Sequence, residues 1–180
     1  MLVEGVLSSQ MHEAALTHMQ AHGVRAEEAL IGARVMSEAE LLRHLAVTHR
    51  TNFVSTERLH AKKVDAAILA LVPKKLAVTH GVLPVLYDAA KNTLAVVTAD
   101  PDDLAMVNEV KVAAGVREVK AIVARPAAVR AAIARAYEND STGFFGLLYD
   151  RHGFSLDVDR SAIPEGLRDA HGPPAAPPAP

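Results

Sequence analysis

Apolar residues recur at helical spacing through the first 50 positions of the chain. One apolar run follows Ser8 or Ser9, either of which can cap a helix, and it stops near Gly23. A second run follows Ser37, and a short helix is expected between the two, around residues 27–33. The pattern therefore predicts that the chain begins with a helical subdomain.

The helix start at Ser37 carries the most local information. Glu40 stands three positions later, which is the spacing of a capping box, in which each residue's side chain bonds the other's backbone amide. Met36 and Leu41 flank this cap at the spacing of a hydrophobic staple. We expect a helix to begin immediately after Ser37.

Shorter elements follow from about residue 51. A short strand is expected at residues 53–54, and short helices over 65–71 and 74–80. Two runs rich in β-branched and apolar residues, 82–87 and 93–98, are separated by a polar turn. These runs predict an antiparallel hairpin.

A helix is predicted after this hairpin. Asp100 is in the capping position, Pro101 suits the first turn, and further acids follow at the positive end of the helix dipole. The expected apolar face starts at Leu104 and continues through Val107, and Gly115 ends the helix.

A strand over 116–124 and a helix opening at Pro126 complete the order hairpin, helix, strand, helix. We therefore predict an α+β fold. A helical subdomain at residues 1–50 precedes a small ββαβα sheet subdomain at 51–139, with its helices packed on the sheet.

The regular pattern is lost after about residue 139. We expect a tail over 140–180 that ends in a Pro-rich segment without the apolar residues to form a core. Residues 144–149 form an apolar patch, which either folds back on the body or binds another molecule.

Composition narrows the classes of function. The net charge is −2 and there is no basic stripe, which argues against nucleic-acid binding. The chain has no cysteine, which excludes disulfides, thiol catalysis and Cys-ligated zinc. No run reaches the ~18 apolar residues of a membrane span, so we expect a cytoplasmic protein.

Three runs in the second half resemble a known family: Val-Pro-Lys-Lys-Leu-Ala at 72–77, His-Gly-Val-Leu-Pro-Val at 80–85, and Leu-Ala-Val-Val-Thr-Ala-Asp-Pro at 94–101. They resemble the N-terminal domain of type II secretion and type IV pilus assembly ATPases, and the likeness extends over about residues 27–138. The resemblance implies a docking role. The implied partner is an inner-membrane platform protein or a motor ATPase, with the chain peripheral at the inner membrane.

In some relatives the helical part binds cyclic di-GMP through two tandem motifs, and this chain keeps only part of them. In the first copy Gly5 and Leu16 fit the motif. In the second, Arg25 and Leu41 fit, but Arg34 replaces a glycine that lets the backbone approach the ligand. Two hypotheses therefore stay open: a protein-interaction adaptor, or a cyclic di-GMP sensor with degenerate motifs.

Candidate catalytic and metal sites are weak. The sequence contains no Gly-x-x-x-x-Gly-Lys-[Ser/Thr] loop to hold nucleotide phosphates, so we expect no enzymatic activity and no cofactor. His18 and His22 share a helical face, but the spacing suggests no further ligands, so we expect no metal site. Capping of a helix explains the acids at 100–103.

The predicted partner-binding surface combines Lys74 and Lys75 with the strand that contains Pro84. Proline cannot donate to a sheet ladder, which places this strand at an edge, where unpaired backbone groups can accept another strand. The alternative is that residues 144–149 cover this edge.

Overall fold

The computed structural model describes residues 9–152, and the elements in that part of the chain are labelled here in chain order. They are α1 (Ser9–His22), α2 (Ala26–Gly32), α3 (Glu38–Thr48), β1 (Asn52–Phe53), α4 (Thr56–Ala61), α5 (Ala66–Leu69), α6 (Lys74–His80), β2 (Val82–Asp88), β3 (Thr93–Thr98), α7 (Leu104–Ala114), β4 (Glu118–Val123), α8 (Pro126–Glu138) and α9 (Thr142–His152). Ser8, Gly5 and the Pro-rich end lie outside the described residues.

One four-stranded sheet organises the second half, in the order β1-β4-β3-β2. β2 and β3 form the predicted antiparallel hairpin, and α7 connects β3 to the parallel strand β4. The predicted short strand, β1, adds to the far side of β4 in parallel, through Asn52 and Phe53. The α+β fold is confirmed, with helices α1–α3 preceding the sheet.

The main core lies between the sheet and the surrounding helices. Its largest fully buried side chains come from β2, β3, α4, α7 and α9, and include Leu59, Leu83, Leu94, Met106 and Phe144. No helix among residues 9–152 has the length and apolar character to span a bilayer.

The cap of α3 is the one predicted. The Ser37 hydroxyl accepts from the Glu40 amide, and the Glu40 carboxylate accepts from the Ser37 amide at 2.9 Å. Hydrogen bonds from the Ser37 side chain and backbone hold the pKa of Glu40 below its usual value. Asp65 also stands at a helix start, but its carboxylate makes no capping hydrogen bond to a described residue.

The start of α7 was predicted wrongly. The N-cap is Asp103, whose carboxylate accepts from the Met106 amide at 3.0 Å, and not Asp100. The buried face follows from this: Met106 is fully buried, whereas Leu104 is 73% exposed. A proline and three acids within four residues offer several capping positions, and packing against the core selects among them. Gly115 ends the helix in the left-handed conformation, as predicted.

The prediction that regular structure ends near residue 139 is wrong for residues 142–152, which form α9. Asn139 ends α8 in the left-handed conformation, and the Asp140 carboxylate accepts from the Thr142 amide and hydroxyl. These short-range bonds start a new helix after a sharp turn. α9 packs against α8 and α4 and buries Phe144, whereas Phe145 is exposed, so part of the predicted apolar patch folds back on the body. The division of the chain at residues 50 and 139 into two subdomains and a tail stays a prediction.

Arg135 connects α4, α8 and α9. Its guanidinium donates to the backbone carbonyls of Leu59, His60 and Lys62 at the end of α4, and it lies over the Phe144 ring, 5.0 Å from the centroid. The last carbonyls of a helix lack partners within the helix, so one side chain here satisfies three of them.

Arg135→Met should therefore destabilise the fold. We expect the free energy of unfolding to fall by about 2 kcal/mol, because the part-buried Leu59 carbonyl loses its donor and the contact with the Phe144 ring is lost. Arg130→Met is the matched control, since Arg130 is an exposed arginine of the same helix, and it should change stability little. Urea denaturation followed by circular dichroism measures both. Equal losses in the two variants would contradict this role.

Candidate functional site

Two buried glutamates join the helical part to the sheet part. The Glu28 side chain is 8% exposed and accepts from Arg125 Nε at 2.7 Å and from the Ala127 amide at 2.8 Å. Ala127 lies in the first turn of α8, so the Glu28 carboxylate, supplied by α2, caps a helix through an amide 99 residues further along the chain.

Glu38 likewise binds a backbone amide at the start of a distant helix, α4. This buried residue of α3 accepts from the Thr56 amide at 2.6 Å, at the first residue of α4. Both carboxylates meet the positive end of a helix dipole, where negative charge is stabilised. The helical part is thus fixed to the sheet part by paired polar groups as well as by apolar contact.

The second motif copy contributes mainly to packing. Leu41 and Leu45 are buried with Val123 of β4 in a second, smaller core cluster. Leu30, Ile31 and Met36, which also fit the second motif copy, pack against that cluster, and Val35, which fits it too, is not part of the cluster. The apolar identity of the packed positions is therefore accounted for by the fold.

Arg34 occupies the position where the motif has glycine. Its φ is +54°, in the left-handed region that glycine adopts without steric cost. Arg34 is exposed and lines a cavity of about 450 Å³, whose other lining residues include Ser37, Glu38 and Arg125. The guanidinium of Arg125 is already paired with Glu28, and Glu38 carries the same sign as a phosphate. The cavity therefore has a mixed charge.

Ile31 and Met36 of the second motif copy also line this cavity, whereas Leu16 and Arg25 do not. Gly5 lies outside the described residues. Leu16 is 38% exposed on α1, where the predicted apolar stripe is largely open and only Ala15 is buried. Arg25, just before α2, pairs with Glu27 at 3.2 Å on the surface.

The predicted partner-binding residues separate into two groups. Lys74 and Lys75 are exposed on α6, and Lys74 pairs with Glu138 at 3.0 Å. Pro84 does lie on the edge strand β2, beside a register shift, but it is buried. Residues 82–85 are all buried, and α5, α6 and α8 contact β2. The role of this surface in partner binding stays a prediction.

The histidine pair lies on α1. The His18 and His22 rings are 4.3 Å apart between centroids, and His18 is packed against Gly32 of α2. Among the described residues there is no group of three or more histidine, aspartate or glutamate side chains arranged to hold a metal ion.

Sequence reasoning did not single out Glu28, Glu38 or Arg125. Glu28 and Glu38 resemble any first-turn acid of an amphipathic helix. Arg125 precedes Pro126, a position that carries only a helix-start signal. Their partners are far away in sequence, and a single sequence offers no sign of such pairing.

Glu28→Gln tests the buried pair. Removing one charge leaves Arg125 buried without its partner, so we expect the free energy of unfolding to fall by about 3 kcal/mol. Glu27→Gln is the neighbouring control: the Arg25–Glu27 pair is on the surface, and its loss should cost at most about 1 kcal/mol. Replacing Glu28 and Arg125 together by methionine should recover most of the loss. A Glu28→Gln variant as stable as Glu27→Gln would contradict the assignment.

Comparison with known proteins places these features in a family. Residues 53–143 match the family model of the MshEN domain. The type IV pilus assembly ATPase PilB of Myxococcus xanthus (strain DK1622) is 28% identical over 134 residues, which are 74% of this chain and 23% of PilB. The chain therefore spans less than a quarter of the length of this curated relative.

Solved structures with similar folds include MshE with cdg, cyclic di-GMP. It is 25% identical, with a TM-score of 0.54, and the match covers 74% of this chain and 93% of that one. One structure of the N-terminal domain of XpsE is 19% identical, with a TM-score of 0.48, and the match covers 73% of this chain and 86% of that one. A second structure of the same domain is 18% identical, with a TM-score of 0.46, and the match covers 73% of this chain and 87% of that one. The MshEN match spans half of the 180 residues of this chain. The chain therefore belongs to the MshEN domain family, the N-terminal domain type of secretion and pilus assembly ATPases.

Proposed function

We propose that this chain is a non-catalytic docking module that links a component of a type II secretion or type IV pilus machine to a protein partner. The observation that carries the proposal is the packing of the second motif copy. Its apolar positions lie in a core cluster with β4, and the acid beside them, Glu28, is committed to Arg125. The buried motif residues Leu41 and Leu45 therefore hold the helical part to the sheet, which supports a structural role for this motif copy.

Docking at a motor would place the chain at the cytoplasmic face of the inner membrane, held there by its partner. The partner would be an inner-membrane platform protein or the motor ATPase. The exposed pair Lys74 and Lys75 offers a basic contact for such a partner, because like-signed surface charges steer acidic partners toward them.

A cyclic di-GMP sensor is the second candidate function. It is favoured by the structural similarity to MshE, solved with that ligand, and by a cavity lined by Arg34. It is disfavoured by Glu38 in the same lining, which has the same charge sign as the ligand's phosphates. It is also disfavoured by the side chain of Arg34, at the position where the motif has glycine.

Calorimetric titration with cyclic di-GMP separates the two functions. A sensor needs a Kd of about 10 µM or below to respond to micromolar ligand. A docking module should give no binding in that range. Arg34→Gly restores the motif glycine at a backbone position that already has glycine geometry, so this variant should fold at least as stably. Micromolar binding by the unaltered chain would reject docking as the sole function, and binding only after Arg34→Gly would identify Arg34 as the residue that blocks the site.

Charge reversal of the α6 lysines tests the docking surface. We expect Lys74→Glu with Lys75→Glu to reduce capture of the partner about tenfold, the equivalent of about 1.4 kcal/mol. Stability should change little, because the Lys74–Glu138 pair is on the surface. Lys62→Glu with Lys63→Glu, two other exposed lysines, is the matched control.

The measurement is cross-linking of the purified chain to membranes of its native host, with identification of the captured protein and a melting curve for each variant. Recovery of a secretion or pilus component would support docking. Capture that is equal for both double variants, with unchanged melting, would remove the α6 surface from the proposal.

A further inference from the structure

One edge of the sheet is only partly covered. β1 pairs with Ile122 and Val123 of β4, so within the described chain residues 118–121 of β4 have no strand on that side. The Val123 carbonyl accepts from the Val54 amide, and the Ala121 carbonyl accepts from the Thr51 hydroxyl. Because backbone groups of alternate residues face the same side of a strand, the amides of Val119 and Ala121 and the carbonyl of Val119 point to this open edge.

A groove runs beside this edge. Its volume is about 600 Å³, and it lies between α7 and the segment that leads into β1, with Ala95, Val107 and Ile122 among its apolar lining residues. Arg50 and Lys120 also line it. Ala95 and Lys120 are register partners in β3 and β4, so their side chains stand on the same face of the sheet.

The charge of this groove is basic. Within residues 9–152 neither Arg50 nor Lys120 has an ion-pair partner, and both are exposed. His49, which also lines the groove, has its Nδ1 atom 2.6 Å from a carboxylate oxygen of Asp102. Glu118, the one acid of β4, accepts a hydrogen bond from Thr93. An acidic strand laid on this edge would meet the charges of Arg50 and Lys120, which outnumber the single carboxylate of Glu118 on the same face as Lys120.

The opposite face of the same edge is apolar. Val119 and Ala121 are half-buried and pack against the main core. An added strand alternates its side chains between the two faces. Acidic residues would then lie toward Lys120 and Arg50, and apolar residues beside Val119 and Ala121.

We propose that the β4 edge binds an extended segment of a partner protein in which acidic and apolar residues alternate. The segment adds as a fifth strand to the sheet. Backbone hydrogen bonds to residues 119 and 121 supply affinity, and the charge of Arg50 and Lys120 selects the sequence. This inference rests on the proposed docking function and names a surface separate from α6.

The probe is a fluorescein-labelled peptide of seven residues that alternates glutamate and valine, titrated with the full chain by fluorescence anisotropy. Two control peptides keep its length: one carries N-methyl groups on its valines, which removes the backbone donors, and one carries lysine in place of glutamate. We expect both controls to bind at least about tenfold more weakly. In ¹⁵N spectra, saturating acidic peptide should slow hydrogen exchange of the Val119 and Ala121 amides.

Arg50→Glu with Lys120→Glu should weaken binding of the acidic peptide at least about tenfold and strengthen binding of the lysine peptide. Equal binding of the N-methylated peptide would overturn strand addition, and unchanged affinity in the double variant would overturn the charge assignment. Slowed exchange at these amides without peptide, at concentrations where sedimentation shows a dimer, would assign the edge to a second copy of the chain. If the peptide fails while membrane capture persists in the double variant, the groove is rejected and docking stands.

Discussion

A single carboxylate in α2 fixes how the two parts of this molecule meet. Glu28 neutralises Arg125 and also caps α8, so its removal would leave both a buried cation and an open helix end. Each of these is costly, because charges and backbone amides away from water need partners. Glu38 repeats the arrangement at α4. Both acids thus tie α2 and α3 to the helices α8 and α4 of the sheet part.

This arrangement also explains the behaviour of the degenerate motif. Leu41, Leu45 and their neighbours pack on Val123, the end of β4, just before Arg125. Apolar and ionic contacts therefore hold the same junction from two sides. A family position can keep its residue type for this reason alone, since losing it would open the junction. Arg34 has the left-handed backbone that a glycine would adopt there without steric cost.

The parts of the fold that depend on neighbouring residues were predictable from sequence. The capping box at Ser37, the hairpin and the proline-opened helix α8 are all local patterns, and the structure has each of them. The start of α7 was less predictable, because several acids competed as caps and only the burial of Met106 decides between them. α9 was missed because its apolar residues are nearly consecutive, over 144–149, so they show no helical period. The pairing of β1 with β4 and the two buried carboxylates join residues far apart in sequence, and local pattern contains no information on them.

The distance between Glu28 and Arg125 has a consequence for biosynthesis. The two residues are 97 positions apart, and a ribosome adds about 5–20 residues per second. For roughly 5–20 seconds, the nascent α2 exists without the cation that its buried carboxylate requires. During that time the apolar side of α2 and α3 has no sheet to cover it. This interval is when the emerging chain is most exposed to chaperones and proteases, and it ends only when the start of α8 has left the ribosome.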